Sequence, residues 1–140
     1  MKTFDVQGIE IQAGFQDVFD YIAEARNLPT WAHAFKSVSN GRAILQTPNG
    51  SVEIGLTVHA SGEHGTVDWE MTFPDGSVAR ACSRVVALGN DRSIYTFVLL
   101  PPPVPLEQLE GALEQQSQIL REELARLAQI LKKSSVRGVS

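Results

Sequence analysis

Three side chains that lie close together in the sequence could bind a metal ion. His59, Glu63 and His64 surround a predicted turn, and imidazole and carboxylate groups are common ligands of Zn²⁺. Two histidines and one glutamate at this spacing form only a loose pattern, and a solvated hairpin end explains the same residues. We therefore predict that the protein holds neither a metal ion nor a cofactor.

Four other residues could transfer protons to or from a substrate. His33 lies beside Trp31 and could act as a general base if a second group oriented its imidazole. The other three are Tyr95, Gln116 and Ser83, whose polar groups could contact a reacting chain. No His-Glu-x-x-His, Gly-x-Ser-x-Gly, phosphate-loop or paired-cysteine motif accompanies them. A cyclase or dehydratase is thus one hypothesis, and its catalytic residues stay unknown.

The remaining reactive side chains lie on one predicted strand. Cys82 is the single cysteine, so no intrachain disulfide can form, and we interpret it as a small, buried or half-buried hydrophobe. Arg80 and Arg84 share its face of the strand, which we predict to be the outer face, opposite Asp68 and Glu70. If the strand faced the other way, the two arginines could bind an acidic ligand.

A long helix, predicted over residues 105–131, must position these groups. Its leucines recur at steps of three and four residues along one stripe: Leu106, Leu109, Leu113, Leu120, Leu124, Leu127 and Leu131. With a rise of 1.5 Å per residue, the helix would be about 40 Å long. Lys132 and Lys133 should end it, because cations are favoured at that end of the helix dipole. Residues 134–140 are then expected to form a flexible tail.

Two features predict that this helix crosses an incompletely packed space. Gln116 and Ser117 interrupt the leucine stripe. A buried amide without a partner costs about 1–3 kcal/mol, so Gln116 should bind water, a ligand or a strand residue such as Ser83. Independently, one face of a predicted strand carries the small side chains of Ala79, Ala81 and Ser83. Small residues are expected on a strand that lines a void, so the sequence predicts a pocket.

Most of the remaining chain alternates apolar and polar residues, as strands do. A first strand is predicted over residues 2–12, with a bulge at Gly8, where the apolar parity changes. Two helices follow over residues 15–24 and 28–35, the second capped by Asn27. Five strands joined by hairpins are then predicted over residues 42–46, 51–60, 66–73, 77–88 and 93–100. They should form one antiparallel sheet with one covered face.

The composition favours one globular domain, which we place over residues 1–133. The chain has 140 residues, of which 43% are hydrophobic and 20% charged, and this suffices for a real core. A net charge of −4 argues against a nucleic-acid partner, since binding phosphates requires a dense basic surface. The single cysteine fits a reducing compartment, and neither a membrane-length apolar run nor a signal-peptide pattern is present. We expect a cytoplasmic protein without stable membrane insertion.

Several short segments resemble one known family. They are VFDYIA at 18–23, NLPTWA at 27–32, VDW at 67–69, FPDG at 73–76 and SRVV at 83–86. Together with the order of predicted elements, they resemble the START-like superfamily, also called SRPBCC, and within it the small bacterial polyketide-cyclase-like proteins. The resemblance spans residues 4–131. It implies an α+β helix-grip fold, in which a curved antiparallel sheet wraps around the long C-terminal helix and leaves a cavity between them.

The resemblance also implies which side chains line that cavity and bind a ligand. They are Trp31, Phe35, Val58, Trp69, Met71, Ser83, Tyr95, Phe97, Leu113, Gln116 and Leu120. The first functional hypothesis is therefore binding of a small hydrophobic molecule, whether lipid-like, aromatic or polyketide-like. The cyclase or dehydratase is the second hypothesis. A third is a protein-interaction role, such as dimerisation, through an exposed strand edge or through residues 101–106, where Val104 and Leu106 lie beside three prolines.

Overall fold

The strands of the chain form a single antiparallel sheet. The computed structural model describes residues 4–47, 50–100 and 106–139, and side chains over 4–46, 50–100 and 114–132. The elements are β1 Asp5–Ile11, α1 Phe15–Ala23, a 3₁₀ turn Ala25–Asn27, α2 Leu28–Trp31, β2 Phe35–Ser39, β3 Arg42–Thr47, β4 Gly50–Ser61, β5 Thr66–Thr72, β6 Val78–Ala87, β7 Ser93–Leu99 and α3 Leu106–Val139. Over the described residues the sheet has seven strands in the order β1-β7-β6-β5-β4-β3-β2. Within these residues, no helix is both long and apolar enough to cross a bilayer.

The first strand is regular, so the bulge predicted at Gly8 is wrong. β1 pairs with β7 without interruption from Asp5↔Leu99 to Ile11↔Ser93, and Gly8 stands opposite Thr96. The change of apolar parity has another cause: Val6 points outward and is 54% exposed, whereas Ile11 is fully buried. Because successive side chains of a strand alternate between its faces, both apolar sets fit one unbroken strand.

The second helix is shorter than predicted, and a strand follows it. α2 ends at Trp31, and Phe35, which the sequence places in the helix, begins β2. β2 pairs with β3 along the edge of the sheet, with a register shift between Phe35 and Ser37. Asn27 stands at the N-cap position of α2, as predicted, but its side chain makes no capping hydrogen bond, because its amide donates to the Tyr21 carbonyl oxygen (3.0 Å). Pairing with a neighbouring strand has overridden the local helical pattern here.

The leucine stripe of α3 forms the centre of the core, as predicted where side chains are described. Leu120, Leu124, Leu127 and Leu131 are all at most 3% exposed and pack with the buried face of α1. The predicted positions Leu106, Leu109 and Leu113 lie outside the described side chains. α3 continues to Val139, so its predicted end at Lys133 is wrong. Flexibility of residues 134–140 stays a prediction, as does the single domain over residues 1–133.

The polar break in the leucine stripe attaches α3 to the sheet. The side-chain amide of Gln7 on β1 donates to the Ser117 carbonyl oxygen (2.8 Å) and to Oδ2 of Asp5 (2.7 Å). Asp5 is buried and Ser117 half-buried, so this contact lies in the interface between β1 and α3. The sequence predicted open space beside both Gln116 and Ser117. Ser117 instead contacts a strand, and Gln116 alone faces a cavity.

Two strands, β1 and β2, form the edges of the sheet in the described part of the chain. The predicted dimer contact through a strand edge therefore has two places where it could form. The other predicted contact, residues 101–106, lies almost wholly outside the described residues. Dimerisation stays a prediction.

Candidate ligand-binding cavity

The orientation of β6 decides which side chains face the helix. Arg80 is the cross-strand partner of Glu70, and their side chains form an ion pair on the outer face (Nη2 to Oε2, 3.3 Å). Arg84 also points outward and donates through Nε to the His64 carbonyl oxygen (3.2 Å). The predicted register of this strand is therefore confirmed. Because neighbouring residues alternate, Ala79 and Ala81 face inward, and both border a cavity.

This cavity lies between the sheet and the middle of α3 and has a volume of about 510 Å³. The sheet side includes two alanines, two aromatic residues and a methionine: Trp69, Met71, Ala79, Ala81 and Phe97. α2 and the start of β2 close one side, and α3 contributes Gln115, Gln116, Ile119, Leu120 and Glu123. Sites for small organic molecules commonly have volumes of about 300–1,000 Å³, with mostly apolar walls and a few polar groups. The cavity meets both conditions.

Four aromatic rings contact one another here, three of them on the cavity wall and Tyr95 buried behind it. Trp31 lies edge-on to Trp69 and to Tyr95, with 6.4 Å between ring centroids in each pair. Phe97 stacks on Trp69 (6.0 Å, 25°) and also lies edge-on to Tyr95 (6.4 Å). These are the separations and angles that aromatic pairs favour, so the cluster forms a stiff wall.

Comparison with known proteins identifies this arrangement. No family model matches the sequence, and no curated protein matches it either. Solved structures do match. A START superfamily protein from Mycobacterium smegmatis superposes with a TM-score of 0.58 at 14% identity, over 96% of this chain and 97% of that one. The Zhui aromatase/cyclase from Streptomyces sp. R1128 superposes with a TM-score of 0.65 at 10% identity, over 98% of this chain and 95% of that one. A protein from Bacillus thuringiensis superposes with a TM-score of 0.68 at 15% identity, over 91% of this chain and 98% of that one. The chain has the START-like helix-grip fold.

At such low identities the likeness concerns the START-like fold alone. The predicted α+β helix-grip class is confirmed, as is the resemblance to START-like and polyketide-cyclase-like proteins. The geometry of this chain alone decides which side chains border the cavity between the sheet and α3.

The structure places most of the predicted ligand-binding residues on the cavity wall. These are Trp31, Phe35, Trp69, Met71, Phe97, Gln116 and Leu120. Leu113 lies outside the described side chains. The Gln116 side chain is exposed, so it does not need the buried hydrogen-bond partner that the sequence led us to expect.

Three predicted residues are absent from the described wall. Val58 packs into the core, as the cross-strand partner of Trp69. Ser83 is buried, and its hydroxyl donates to the Val67 carbonyl oxygen (2.5 Å). Tyr95 is fully buried behind its ring contacts with Trp31 and Phe97. The sequence predicted which face of the sheet each residue occupies, but only the packing of the rings decides how far the cavity extends.

The groups proposed for proton transfer are mostly separated from the cavity. The His33 side chain is exposed and does not line the wall, so only Gln116 of the four predicted residues does. Among the described residues, no group of His, Cys, Asp and Glu side chains could hold a metal ion. Cys82 is half-buried as predicted, and burial, with a smaller effect of the Asp68 charge, raises the pKa of its thiol.

Glu123 is a polar wall residue that the sequence analysis missed. The His33 backbone N–H donates to its Oε2 (2.5 Å), which joins the α2–β2 connection to α3. Burial raises the pKa of the Glu123 carboxyl above its usual 4.5, and the contact with His33 offsets part of this effect. Its position, three residues after Leu120 and seven after Gln116, places it on the same helix face as both. Helical spacing was therefore a signal that could have revealed it.

Replacing Glu123 by glutamine should stabilise the fold at neutral pH but not in acid. A carboxyl whose pKa is raised by folding favours the folded state below its unfolded pKa, near 4.5, and this advantage is lost as the pH rises through the folded value. Glutamine stays neutral and can still accept the bond from His33. Urea unfolding between about pH 3.5 and about pH 8 measures the difference, which should grow with pH.

Glu114→Gln is the matched control, because Glu114 is exposed on α3 and lies nine residues before Glu123. It should show no such growth in stability. An advantage of Glu123→Gln that is constant with pH, or that shrinks as pH rises, would contradict the assignment of a buried carboxyl.

Proposed function

We propose that the protein binds a small hydrophobic molecule in the cavity between its sheet and α3. The observation that carries this proposal is a cavity of about 510 Å³ with mostly aromatic and aliphatic walls between the sheet and α3. The exposed residues Gln115, Gln116 and Ile119 border it, so solvent reaches these apolar walls. An apolar ligand would remove both the walls and its own surface from water.

The wall supports a compact, partly aromatic occupant rather than a thin chain. Trp31, Trp69 and Phe97 border the cavity with the small exposed parts of their rings, and Ala79 and Ala81 leave room opposite the helix. Rings of a bound molecule could stack on these side chains at the separations that aromatic pairs prefer. The START-like fold of an aromatase/cyclase accords with such an occupant, but the proposal rests on this chain's own cavity.

Titration with N-phenyl-1-naphthylamine, an uncharged fluorescent probe, tests the proposal. Trp31 and Trp69 are the two tryptophans of the chain, and both border the cavity, so the tryptophan emission reports on this site. We expect saturable binding of one probe per chain, with quenching of tryptophan emission and energy transfer to the probe. Native mass spectrometry of the same sample checks the stoichiometry. Absence of saturable binding, or binding that leaves tryptophan emission unchanged, would count against the proposal.

A further inference from the structure

One carboxyl group borders the cavity. Glu123 is the only acidic residue among the described side chains of the wall, and it lies one helical turn after Ile119, which is exposed and borders the cavity too. Its Oε2 accepts the His33 backbone N–H (2.5 Å). The residues before and after His33, Ala32 and Ala34, are also wall residues, so this hydrogen bond holds the carboxyl at the cavity wall.

The second oxygen of this carboxyl, Oε1, has no hydrogen-bond partner among the described residues. Glu123 is half-buried, but Oε1 is not one of the buried atoms that lack a partner, so water reaches it. It differs in this respect from the indole N–H groups of Trp31 and Trp69, which the surrounding side chains close off. Oε1 is therefore an acceptor that a bound molecule can reach.

No described Lys, Arg or His side chain forms an ion pair with Glu123. Arg80, the basic residue of the described wall, is paired with Glu70 on the outer face of the sheet (3.3 Å). A ligand that covered Oε1 with apolar surface would take the carboxylate out of water without giving it a new partner. Such burial is unfavourable, so a ligand that fits this wall supplies a hydrogen-bond donor.

The number of donors distinguishes a hydroxyl group from an ammonium group. An ammonium group has three N–H donors, whereas a hydroxyl group has one. Glu123 offers one unpaired oxygen, and the side chains next to it on the wall carry no acceptor: Ala32, Ile119 and Leu120. A single O–H group matches this part of the wall, and it avoids bringing a cation out of water into an apolar cavity.

We infer that the ligand of this cavity carries a hydroxyl group, which donates a hydrogen bond to Oε1 of Glu123. This inference rests on the proposed binding function and adds the polar chemistry of the ligand. Hydrogen bonds to an ionised group are stronger than those between neutral groups, so this contact orients an otherwise apolar molecule. The apolar part of the ligand then extends from α3 toward the sheet side of the cavity, which includes Trp69 and Ala81.

The compounds 2-naphthol and 2-methylnaphthalene test the inference as a matched pair, since they differ only in an O–H or a CH₃ group on the same frame. Both affinities are measured by calorimetry at neutral pH for the natural protein and for Glu123→Gln. Glutamine can keep its one oxygen on the His33 N–H, and it then has an NH₂ group in place of Oε1. The affinity for 2-naphthol relative to 2-methylnaphthalene should fall about tenfold, which corresponds to the loss of a hydrogen bond to a charged group.

Glu114→Gln is the matched control, because Glu114 is exposed on α3 and does not belong to the cavity wall. It removes the same charge and should leave the relative affinity unchanged. Ultraviolet absorption reports on the hydrogen bond itself, since the band of 2-naphthol moves to longer wavelength when its hydroxyl donates to a carboxylate. Bound 2-naphthol should absorb at longer wavelength in the natural protein than in Glu123→Gln.

An unchanged relative affinity in Glu123→Gln, without a difference in absorption, overturns the inference but leaves hydrophobic binding intact, because both compounds still bind. An equal loss in Glu114→Gln also overturns it, since the net charge would then explain the result. If 2-(aminomethyl)naphthalene depends more strongly on Glu123 than 2-naphthol does, the polar group is a cation and the hydroxyl inference is wrong. If none of the compounds binds, the inference fails together with the proposed function.

Discussion

A Leu127→Ala variant should lose about 2–5 kcal/mol of its free energy of unfolding. Leu127 is fully buried in the stripe by which α3 packs against the core. Truncating it removes favourable apolar burial and leaves a void that the surrounding side chains can fill only in part. Typical domains are stable by about 5–15 kcal/mol, so this one change could remove a large fraction of the total.

Urea unfolding monitored by far-UV circular dichroism measures this effect, and Gln129→Ala is the control. Gln129 lies two residues further along α3 and is exposed. Its replacement keeps the helix and should change stability by no more than about 0.5 kcal/mol. If both variants unfolded at the same urea concentration, α3 would not be the packed centre of this molecule.

Ala81→Phe should weaken binding of N-phenyl-1-naphthylamine about tenfold or more. Ala81 borders the cavity on the inward face of β6, opposite Trp69 on β5. A phenyl group at this position would extend into the space that the ligand is proposed to fill. The protein's own ring would then take over contacts with the wall, so little apolar surface would remain for the probe.

Ala87→Phe is the matched control for this variant. Ala87 lies on the same strand with the same parity, but at its exposed end, where β6 pairs with Ser93 of β7. It should leave probe binding unchanged. Urea midpoints close to that of the natural protein would show that neither change unfolds the chain. Unchanged affinity in a folded Ala81→Phe variant would place the probe outside this cavity.

The sequence determined the elements whose patterns are local and strong. The leucine spacing predicted α3, because one apolar stripe at helical period must be buried against something. The alternation of small and charged residues predicted which way β6 faces, and the Arg80–Glu70 ion pair confirms it. In both cases the signal is carried by several residues of one segment, so no distant contact was needed to interpret it.

Tertiary structure decided the features that depend on contacts between distant segments. Phe35 begins β2 rather than ending a helix, because β3 provides a partner for its backbone. The Gln7 amide reaches Ser117, 110 residues away, so a position that looked like open space is a point of attachment. The spacing of apolar residues within a single segment predicts neither the β2–β3 pairing nor the Gln7–Ser117 hydrogen bond.

The polar features of the candidate site were also decided by packing. The sequence predicted Trp31, Trp69 and Tyr95 near a cavity, and the first two border it. It could not predict that the indole N–H groups of Trp31 and Trp69 would be buried without a partner, since this depends on how the four rings stack. A residue type states what a group can donate, whereas only the assembled packing determines whether an acceptor lies within reach.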